Sequence, residues 1–421
     1  MTELPPPEAP AVRKSTTVGK LAVLMVTAFM DMVGVLMIIP LLPFYAKTMG
    51  AGGFVVGLLV SSFSIAQLLM APVWGRLSDH YGRRPALIVG MAASAIAYVV
   101  FAYADSLWLL FLSRLVQGAG GGTVSVIQAY VADALEPKER AKGLGWLSAA
   151  TNAGVALGPL LGIVALKWWG TPGPGLLAAG LSVVNIGFAW KYLVESRDMV
   201  EAAAARSKPR VPGRSRQAVF QVVTHSSEPA SRLIWIYSIA IGAFQGSTAI
   251  LALFLADRFC VTKESIGYFF AYIGVLSVVT RALILGPAVD RFGEAKLSRV
   301  GLVLLSLGLA LLPLMQPADN PVLTYLPLAL AVALIPLGTA FTFPCVTSLL
   351  SRVVASGERG LYMGVQQTFG GAARVIFPVI YGFLYDRVIE LPFLLAAVLV
   401  AATLLLGLGM ENYTSREGVK A

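Results

Sequence analysis

Long apolar runs alternate with short polar stretches along nearly the whole chain of 421 residues. A helix needs roughly 20 apolar residues to cross the hydrocarbon core of a bilayer, and the pattern predicts twelve such helices. They lie near 20–46, 54–77, 85–104, 107–133, 142–166, 174–193, 232–256, 265–288, 297–316, 322–350, 360–385 and 391–410. The pattern therefore predicts an all-α integral membrane protein with twelve transmembrane helices.

One long polar stretch divides the predicted helices into two sets of six. We accordingly predict two six-helix bundles that are joined by a linker and flanked by short tails. The boundaries are 1–19 for the N-terminal tail, 20–193 for the first bundle, 194–231 for the linker, 232–410 for the second bundle and 411–421 for the C-terminal tail.

Two sequence echoes relate the halves. The loops after helices 2 and 8 are offset by 211 residues and match Gly75, Asp79 and Gly82 with Gly286, Asp290 and Gly293. A second echo, offset by 219 residues, matches Glu139, Arg140, Gly145 and Pro159 with Glu358, Arg359, Gly364 and Pro378. Such repeats are typical of secondary transporters, whose substrate site lies between the repeats near mid-membrane. The echoes therefore predict two pseudo-symmetric bundles.

Composition and charge agree with a membrane protein. Charged residues make up only 13% of the chain, against about 25% in soluble domains, which excludes a soluble or disordered protein. Of the Lys and Arg residues, 24 fall on the side of the tails and linker and 5 on the other side. The positive-inside rule then places both termini in the cytoplasm, and we expect a bacterial inner membrane. The net charge of +10 needs no nucleic acid partner.

The sequence gives no sign of an enzyme. It holds two cysteines and two histidines, which excludes a disulfide framework and a CxxC metal site. A phosphate-binding loop is also missing from the sequence. We expect no enzymatic activity and no cofactor, with the proton as coupling ion. The expected partners are a small-molecule substrate, protons and the lipid bilayer, and the protein is expected to be a monomer.

A gate motif lies around the loop after helix 2. It comprises Gly75, Asp79, Gly82, Arg83, Arg84, Asp133 at the inner end of helix 4, and the second-half echo Asp290. The glycines allow tight turns, the first aspartate can face a helix N-terminus, and the arginines can anchor to the inner leaflet or to the aspartate of helix 4. The motif predicts a latch that holds the cytoplasmic side closed. A well-capped loop with topogenic charge is the alternative.

Asp31 is the only acidic residue well inside an apolar helix. A bare carboxylate at such a depth costs about 2.5–3.5 kcal/mol on insertion scales. A carboxyl group in these surroundings can load and release a proton near neutral pH. We predict that Asp31 carries the coupling proton, with a structural hydrogen bond or a permanent ion pair as the alternative.

Polar side chains in helices 4, 7 and 11 predict a substrate site. The candidates are Arg374, Gln367, Gln245, Phe244, Gln117 and Tyr381. Arg374 lies close to mid-membrane and offers a bidentate fork to a carboxylate or another anion. Alternatively, it pairs permanently with Asp31 across the halves. Arg281 lies nearer the inner end of helix 8, where we expect it to snorkel or to face loop charges.

Three glycines spaced four residues apart in helix 5 form a stripe of small residues. Gly154, Gly158 and Gly162 predict close packing against another helix, and Pro159 permits a kink because it removes one backbone hydrogen bond.

Several of these motifs resemble those of one known family. GRLSDHYGRR (75–84) resembles the signature loop of the major facilitator superfamily, and 114–118 resembles its second motif. The run from Gly154 to Gly162 resembles the motif of its antiporters, and 31–43 resembles the first helix of its twelve-helix drug:proton antiporters. The first half is similar throughout to the tetracycline/proton antiporter group, except that Ala97 stands where that group carries an acid. The resemblance implies the major facilitator fold and a role in proton coupling for Arg114.

We therefore predict a proton-coupled secondary active transporter. It would act as an antiporter that exports amphipathic, drug-like compounds by alternating access. A major facilitator transporter for a specific anionic metabolite, working in uptake or export, is the alternative that Arg374 favours. A non-transporting membrane receptor is a third alternative.

Overall fold

A computed structural model describes residues 15–121, 123–135, 137–196, 214–355 and 357–410. Residues 1–14 and 411–421 of the predicted tails, and 197–213 of the predicted linker, lie outside the described residues.

Twelve apolar helices run through the described part of the chain. Ten are long and apolar enough to cross a membrane, and the two shorter ones are Leu107–Gly120 and Leu391–Leu406. We number the helices α1 (Ser15–Ile38), α2 (Gly53–Tyr81), α3 (Arg83–Ala102), α4 (Leu107–Gly120), α5 (Pro137–Trp169), α6 (Gly173–Tyr192), α7 (Pro229–Phe259), α8 (Ile266–Val279), α9 (Glu294–Leu311), α10 (Pro321–Val353), α11 (Arg359–Tyr385) and α12 (Leu391–Leu406). The predicted all-α fold of twelve helices is thereby confirmed.

Some predicted helices are interrupted, and others are joined by short connecting elements. A short helix, Leu42–Thr48, continues α1 beyond a break at Pro40, which lacks a backbone N–H to donate. Thr123–Ala134 continues α4 beyond a glycine run. A π-helical turn, Thr280–Ile284, leads from α8 into Leu285–Phe292. The remaining elements are a 3₁₀ turn at Leu312–Leu314 after α9 and a linker helix at Arg214–Thr224.

The helices form two bundles, α1–α6 and α7–α12. In the first bundle, α1 packs against α5 and α6, and α3 packs against α4 and α6. The second repeats this arrangement, with α7 against α11 and α12, and α9 against α10 and α12. The bundles meet along two seams, α2 with α11 and α5 with α8.

Each seam sets a proline carbonyl against a glycine of the other half. A methyl group built on Gly57 of α2 would lie 2.1 Å from the carbonyl oxygen of Pro378 in α11. One built on Gly267 of α8 would lie 2.6 Å from the carbonyl oxygen of Pro159 in α5. The two prolines are equivalents in the sequence repeat, so both seams follow the same pseudo-symmetry.

The halves are joined at one end of the bundle and separate at the other. We call the end with the α2–α3 loop the inner side, because its basic residues predict a cytoplasmic location, and the opposite end the outer side. On the outer side, Asp386 at the end of α11 accepts hydrogen bonds from the backbone N–H groups of Gly53 (2.5 Å) and Phe54 (2.9 Å) at the start of α2. Lys47 and Asp257 form an ion pair there between the halves.

The inner side is open. Methyl groups built on Gly75 and Gly145 of the first half, or on Gly286 and Gly364 of the second, would meet no atom within 4 Å. Closed outer seams and separated inner ends describe an inward-open state.

An ion pair with reversed polarity stands at the inner end of each half. In the first half, Arg83 Nε at the start of α3 lies 2.9 Å from Asp133 Oδ2. In the second half, Glu294 Oε1 at the start of α9 lies 3.1 Å from Arg352 Nη2. Glu294 stands 211 residues after Arg83 and Arg352 stands 219 residues after Asp133, which are the offsets of the two echoes. The repeat therefore keeps the contact and exchanges the charges.

Gly57→Ala should shift the protein away from the inward-open state. The added methyl group meets the Pro378 carbonyl oxygen at 2.1 Å, and overpacking of this kind costs about 1–3 kcal/mol. Spin labels at positions 48 and 388, with the native cysteines replaced, should report a longer distance between the outer ends of the two halves.

The matched control is Gly180→Ala in α6, where a methyl group would meet no atom within 4 Å. An unchanged outer distance in the Gly57 variant would mean that this contact does not hold the outer side closed.

Arg83→Gln should lower the free energy of unfolding by about 1–3 kcal/mol. The Arg83 side chain is 8% exposed and contacts the carboxylates of both Asp79 and Asp133, so its loss removes a cation from two acids. Thermal unfolding in detergent measures the effect. Arg76→Gln, at an exposed position near the inner end of α2, is the control, and equal stability of the two variants would argue against the role of this ion pair.

Candidate functional site

A cavity of about 340 Å³ lies between the halves in the middle of the bundle. Its polar lining comprises Asp31, Gln67, Ser94, Gln117, Gln245 and Thr248. The apolar lining combines the rings of Phe63, Phe244 and Phe270 with aliphatic side chains. Four of the predicted site residues, Asp31, Gln117, Phe244 and Gln245, are therefore brought together here from both halves.

The glycine stripe of α5 fixes the position of Asp31. Methyl groups built on Gly154, Gly158 and Gly162 would lie 2.8, 2.9 and 2.7 Å from the carbonyl oxygens of Phe29, Val33 and Met37. Because glycine carries no side chain, α5 runs directly against the segment of α1 that carries Asp31. Pro159 of α5 packs against Gly267 of α8, so α5 lies between α1 and the other half.

Arg114 is buried close to this cavity and makes no ion pair with Asp31. Only 2% of its surface is exposed. Its guanidinium carbon lies 6.0 Å from the centre of the Phe63 ring and 5.9 Å from that of Phe101, at the edge of the range for cation–π attraction. Within the described residues, no carboxylate lies within 4.0 Å of its nitrogens.

Tyr98 connects the aspartate and the arginine. It interacts electrostatically with both Asp31 and Arg114, and a methyl group built on Gly34 would lie 3.0 Å from its hydroxyl oxygen. The Tyr98 hydroxyl also interacts with the Gln117 side chain. Two nitrogens of Arg114 are buried without a hydrogen-bond partner among the described residues, and a buried polar group without a partner is costly. No sequence pattern identifies Tyr98 as a site residue, apart from its position next to Ala97.

A second cavity, of about 440 Å³, adjoins the first and opens toward the inner side. It contains Arg374 and Gln367 of α11 and shares Gln67 and Gly121 with the central cavity. No carboxylate in the described chain lies within 4.0 Å of Arg374. The expected alternative of a permanent Asp31–Arg374 pair is therefore not formed in this state.

Tyr381 lines neither cavity. Its side chain is 1% exposed and packs in the α7–α11 contact, where a methyl group on Gly246 would lie 2.7 Å from its ring. Its ring also stands edge-on to Phe377. In the inward-open state Tyr381 is a packing residue between α7 and α11.

The gate motif centres on Arg83. Its guanidinium contacts Asp79 (3.0 Å), Asp133 (2.9 Å) and the Ser78 hydroxyl (2.7 Å). Arg84 does not contact Asp133. Its guanidinium stacks on the Trp190 ring of α6 and donates a hydrogen bond to the Trp190 carbonyl oxygen. Asp290, the echo, is exposed at the inner end of the α8 segment.

Glu195 is a part of the gate motif that sequence reasoning missed. Its carboxylate accepts hydrogen bonds from the backbone N–H groups of Arg83 (2.8 Å) and Arg84 (3.0 Å) and so caps α3. Gly82 has a φ of 101°, and a methyl group there would lie 2.4 Å from Glu195. The turn therefore requires glycine both for its conformation and for this contact.

Comparison with known proteins gives the same assignment as the fold. A family model described as Major Facilitator Superfamily matches residues 24–378 and 233–420. Tetracycline resistance protein, class B, of Escherichia coli is 25% identical over 371 residues, which cover 86% of this chain and 88% of that protein. Multidrug resistance protein 2 of Bacillus subtilis is 25% identical over 394 residues, covering 92% and 93%.

A solved structure supports the fold alone. The human organic anion transporter MFSD10 superposes with a TM-score of 0.64 at 22% identity, covering 93% of this chain and 99% of that one. With the match of the family model across the chain, the duplicated six-helix bundles identify this multi-pass membrane protein as a member of the Major Facilitator Superfamily.

Proposed function

We propose that the protein is a proton-coupled antiporter that exports amphipathic, drug-like compounds across a bacterial inner membrane. The observation that carries the proposal is Asp31, a carboxyl group in the cavity between the halves with no cation within 4.0 Å among the described residues. The names of the tetracycline and multidrug resistance relatives support it.

Asp31 exchanges the proton in this account. Ionised, it is a negative charge in a site of low dielectric, and protonation removes that charge. Tyr98 and Gln117 offer polar groups beside it, and the buried cation of Arg114 favours the ionised form when the two approach each other. Loading the proton and loading the substrate then become alternatives at one site.

The central cavity suits an amphipathic cargo. Its volume of about 340 Å³ falls in the range of pockets for drug-sized ligands. Phe244 supplies an aromatic face, Gln245 and Gln117 supply amide groups, and Arg374 and Gln367 extend the site toward the inner side. The inner opening gives such a compound access from the cytoplasm.

Alternating access needs the inner side to close. In the proposed cycle, the gate motif around Asp79 and Arg83 and its echo Asp290 meet the other half when the outer seams open. Both termini lie in the cytoplasm, the protein works as a monomer, and the proton is the only coupling ion, without a cofactor.

Transport of a specific anionic metabolite is the second candidate. Arg374 favours it, because its guanidinium lines a cavity without a neighbouring carboxylate. Phe63, Phe244 and Phe270 around the central cavity favour the amphipathic cargo.

Asp31→Asn should abolish transport driven by a pH gradient and keep counterflow exchange. The amide mimics the protonated carboxyl group and cannot release a proton, so the coupling is lost while the cavity persists. The measurement is counterflow of a compound library in proteoliposomes, with and without a pH gradient.

Asp105→Asn, an exposed acid in the loop before α4, is the matched control and should retain gradient-driven transport. Gradient-driven transport that persists in Asp31→Asn would move the proton site elsewhere. If a compound accumulates on the side of the membrane to which protons flow, the result would favour uptake by symport.

A further inference from the structure

A third cavity lies on the inner side, where α5 and α8 separate. Its volume is about 470 Å³, and it shares no lining residue with the two cavities above. Its polar lining comprises Ser148, Tyr237, Arg281, Thr347, Ser348 and Ser351, from α5, α7, the π-helical turn and α10. One cation thus stands among hydroxyl groups.

The backbone presents Arg281 in an unusual way. Arg281 is the second residue of the π-helical turn Thr280–Ile284. A π turn inserts a residue into the helix and so changes the direction of its side chains, and such turns are frequent at functional sites. The sequence alone suggests a snorkelling arginine here, whereas the structure directs its side chain into a cavity between the halves.

The guanidinium of Arg281 is incompletely satisfied. Its Nη1 donates to Asn152 Oδ1 of α5 at 2.9 Å, and its Nε is buried without a hydrogen-bond partner in the described chain. Its only hydrogen-bond partner there is a neutral amide. The nearby acid Glu294 is already engaged by Arg352 and Ser348. A cation in these surroundings lacks the countercharge that normally offsets its desolvation.

Arg281 has no basic counterpart in the first half of the sequence repeat. With the offset of 211 residues, its counterpart in the first half is Met70, and with the offset of 219 residues the counterpart of Arg374 is Val155. The symmetric glycine–proline contacts of the two seams do not involve these arginines. Both cations therefore belong to what distinguishes the second half, rather than to the shared scaffold.

We propose that Arg281 is an anion-binding site that receives the carboxylate of a substrate entering from the inner side. The inference rests on the proposed function for the direction of entry, and it narrows the cargo to amphipathic compounds with a negatively charged group. The guanidinium fork can bind a carboxylate with two hydrogen bonds. Nη1 already donates to Asn152, so the incoming anion would compete for a hydrogen bond that joins α5 to the π-helical turn.

A matched pair of probes tests the site. The compounds 2-naphthoate and 2-naphthamide have nearly the same size and shape and differ in charge. Their affinities are measured from the concentration dependence of thermal stabilisation, in nanodiscs of phosphatidylcholine only, so that no anionic lipid headgroup competes. The wild type should bind the acid at least tenfold more tightly than the amide.

Arg281→Gln should remove this preference by weakening the acid at least tenfold and leaving the amide unchanged, and Arg281→Lys should keep part of it. Arg291→Gln, which removes an exposed cation near the inner end of the same helix, should behave like wild type. Equal binding of both probes by the wild type, or equal losses for both in Arg281→Gln, would overturn the proposal. Because no pH gradient is involved, this result is independent of whether proton coupling holds.

Discussion

A charged side chain inside a membrane protein must be paired with an opposite charge, neutralised by a proton or hydrated by water. The central site depends on how Asp31 satisfies this requirement. An isolated carboxylate at such a depth costs about 2.5–3.5 kcal/mol on insertion scales. The glycine stripe of α5 lets α1 pack closely against α5, and in this position Asp31 lines the cavity. Arg114 is buried nearby yet holds to the rings of Phe63 and Phe101. Asp31 and Arg114 thus form no ion pair with each other in this state.

The two halves share a scaffold and divide the chemistry. Each seam places a proline carbonyl on a glycine of the opposite half, and each inner end carries an ion pair at the equivalent position of the repeat. The pair is Arg83–Asp133 in one half and Glu294–Arg352 in the other, so a duplicated unit has kept the contact with its charges exchanged. Asp31 lies on the first half, whereas Arg281 and Arg374, which have no basic counterparts in the repeat, lie on the second.

Much of this fold could be predicted from the sequence, because lipid leaves few choices for a backbone. Long apolar runs must form helices in a bilayer, and the predicted spans agree with the observed ones. Asp31 stood out because a carboxylate in an apolar run is expensive. The breaks at Pro40 and in the π turn were harder to place, since a helix interrupted for one turn keeps its hydrophobic pattern.

The residues that were missed act through tertiary contacts. Glu195 and Asp386 each cap a distant helix, and no local pattern tells a loop acid which N-terminus it will meet. In the sequence Tyr98 resembles an ordinary packing residue. Its hydroxyl group approaches α1 because Gly34 has no side chain. Conversely, Tyr381 was predicted as a substrate contact from its helical face, but that face packs against Gly246 of α7. Periodicity identifies a face of a helix and leaves open which neighbour covers it.

The most direct test of the account measures protons. A compound that proteoliposomes export would be added to the purified protein in weak buffer, and the pH followed. If proton and substrate compete at Asp31, linkage requires that binding of the substrate releases protons, and Asp31→Asn should release none. Proton release that persists in Asp31→Asn, or proton uptake by the wild type, would contradict the account.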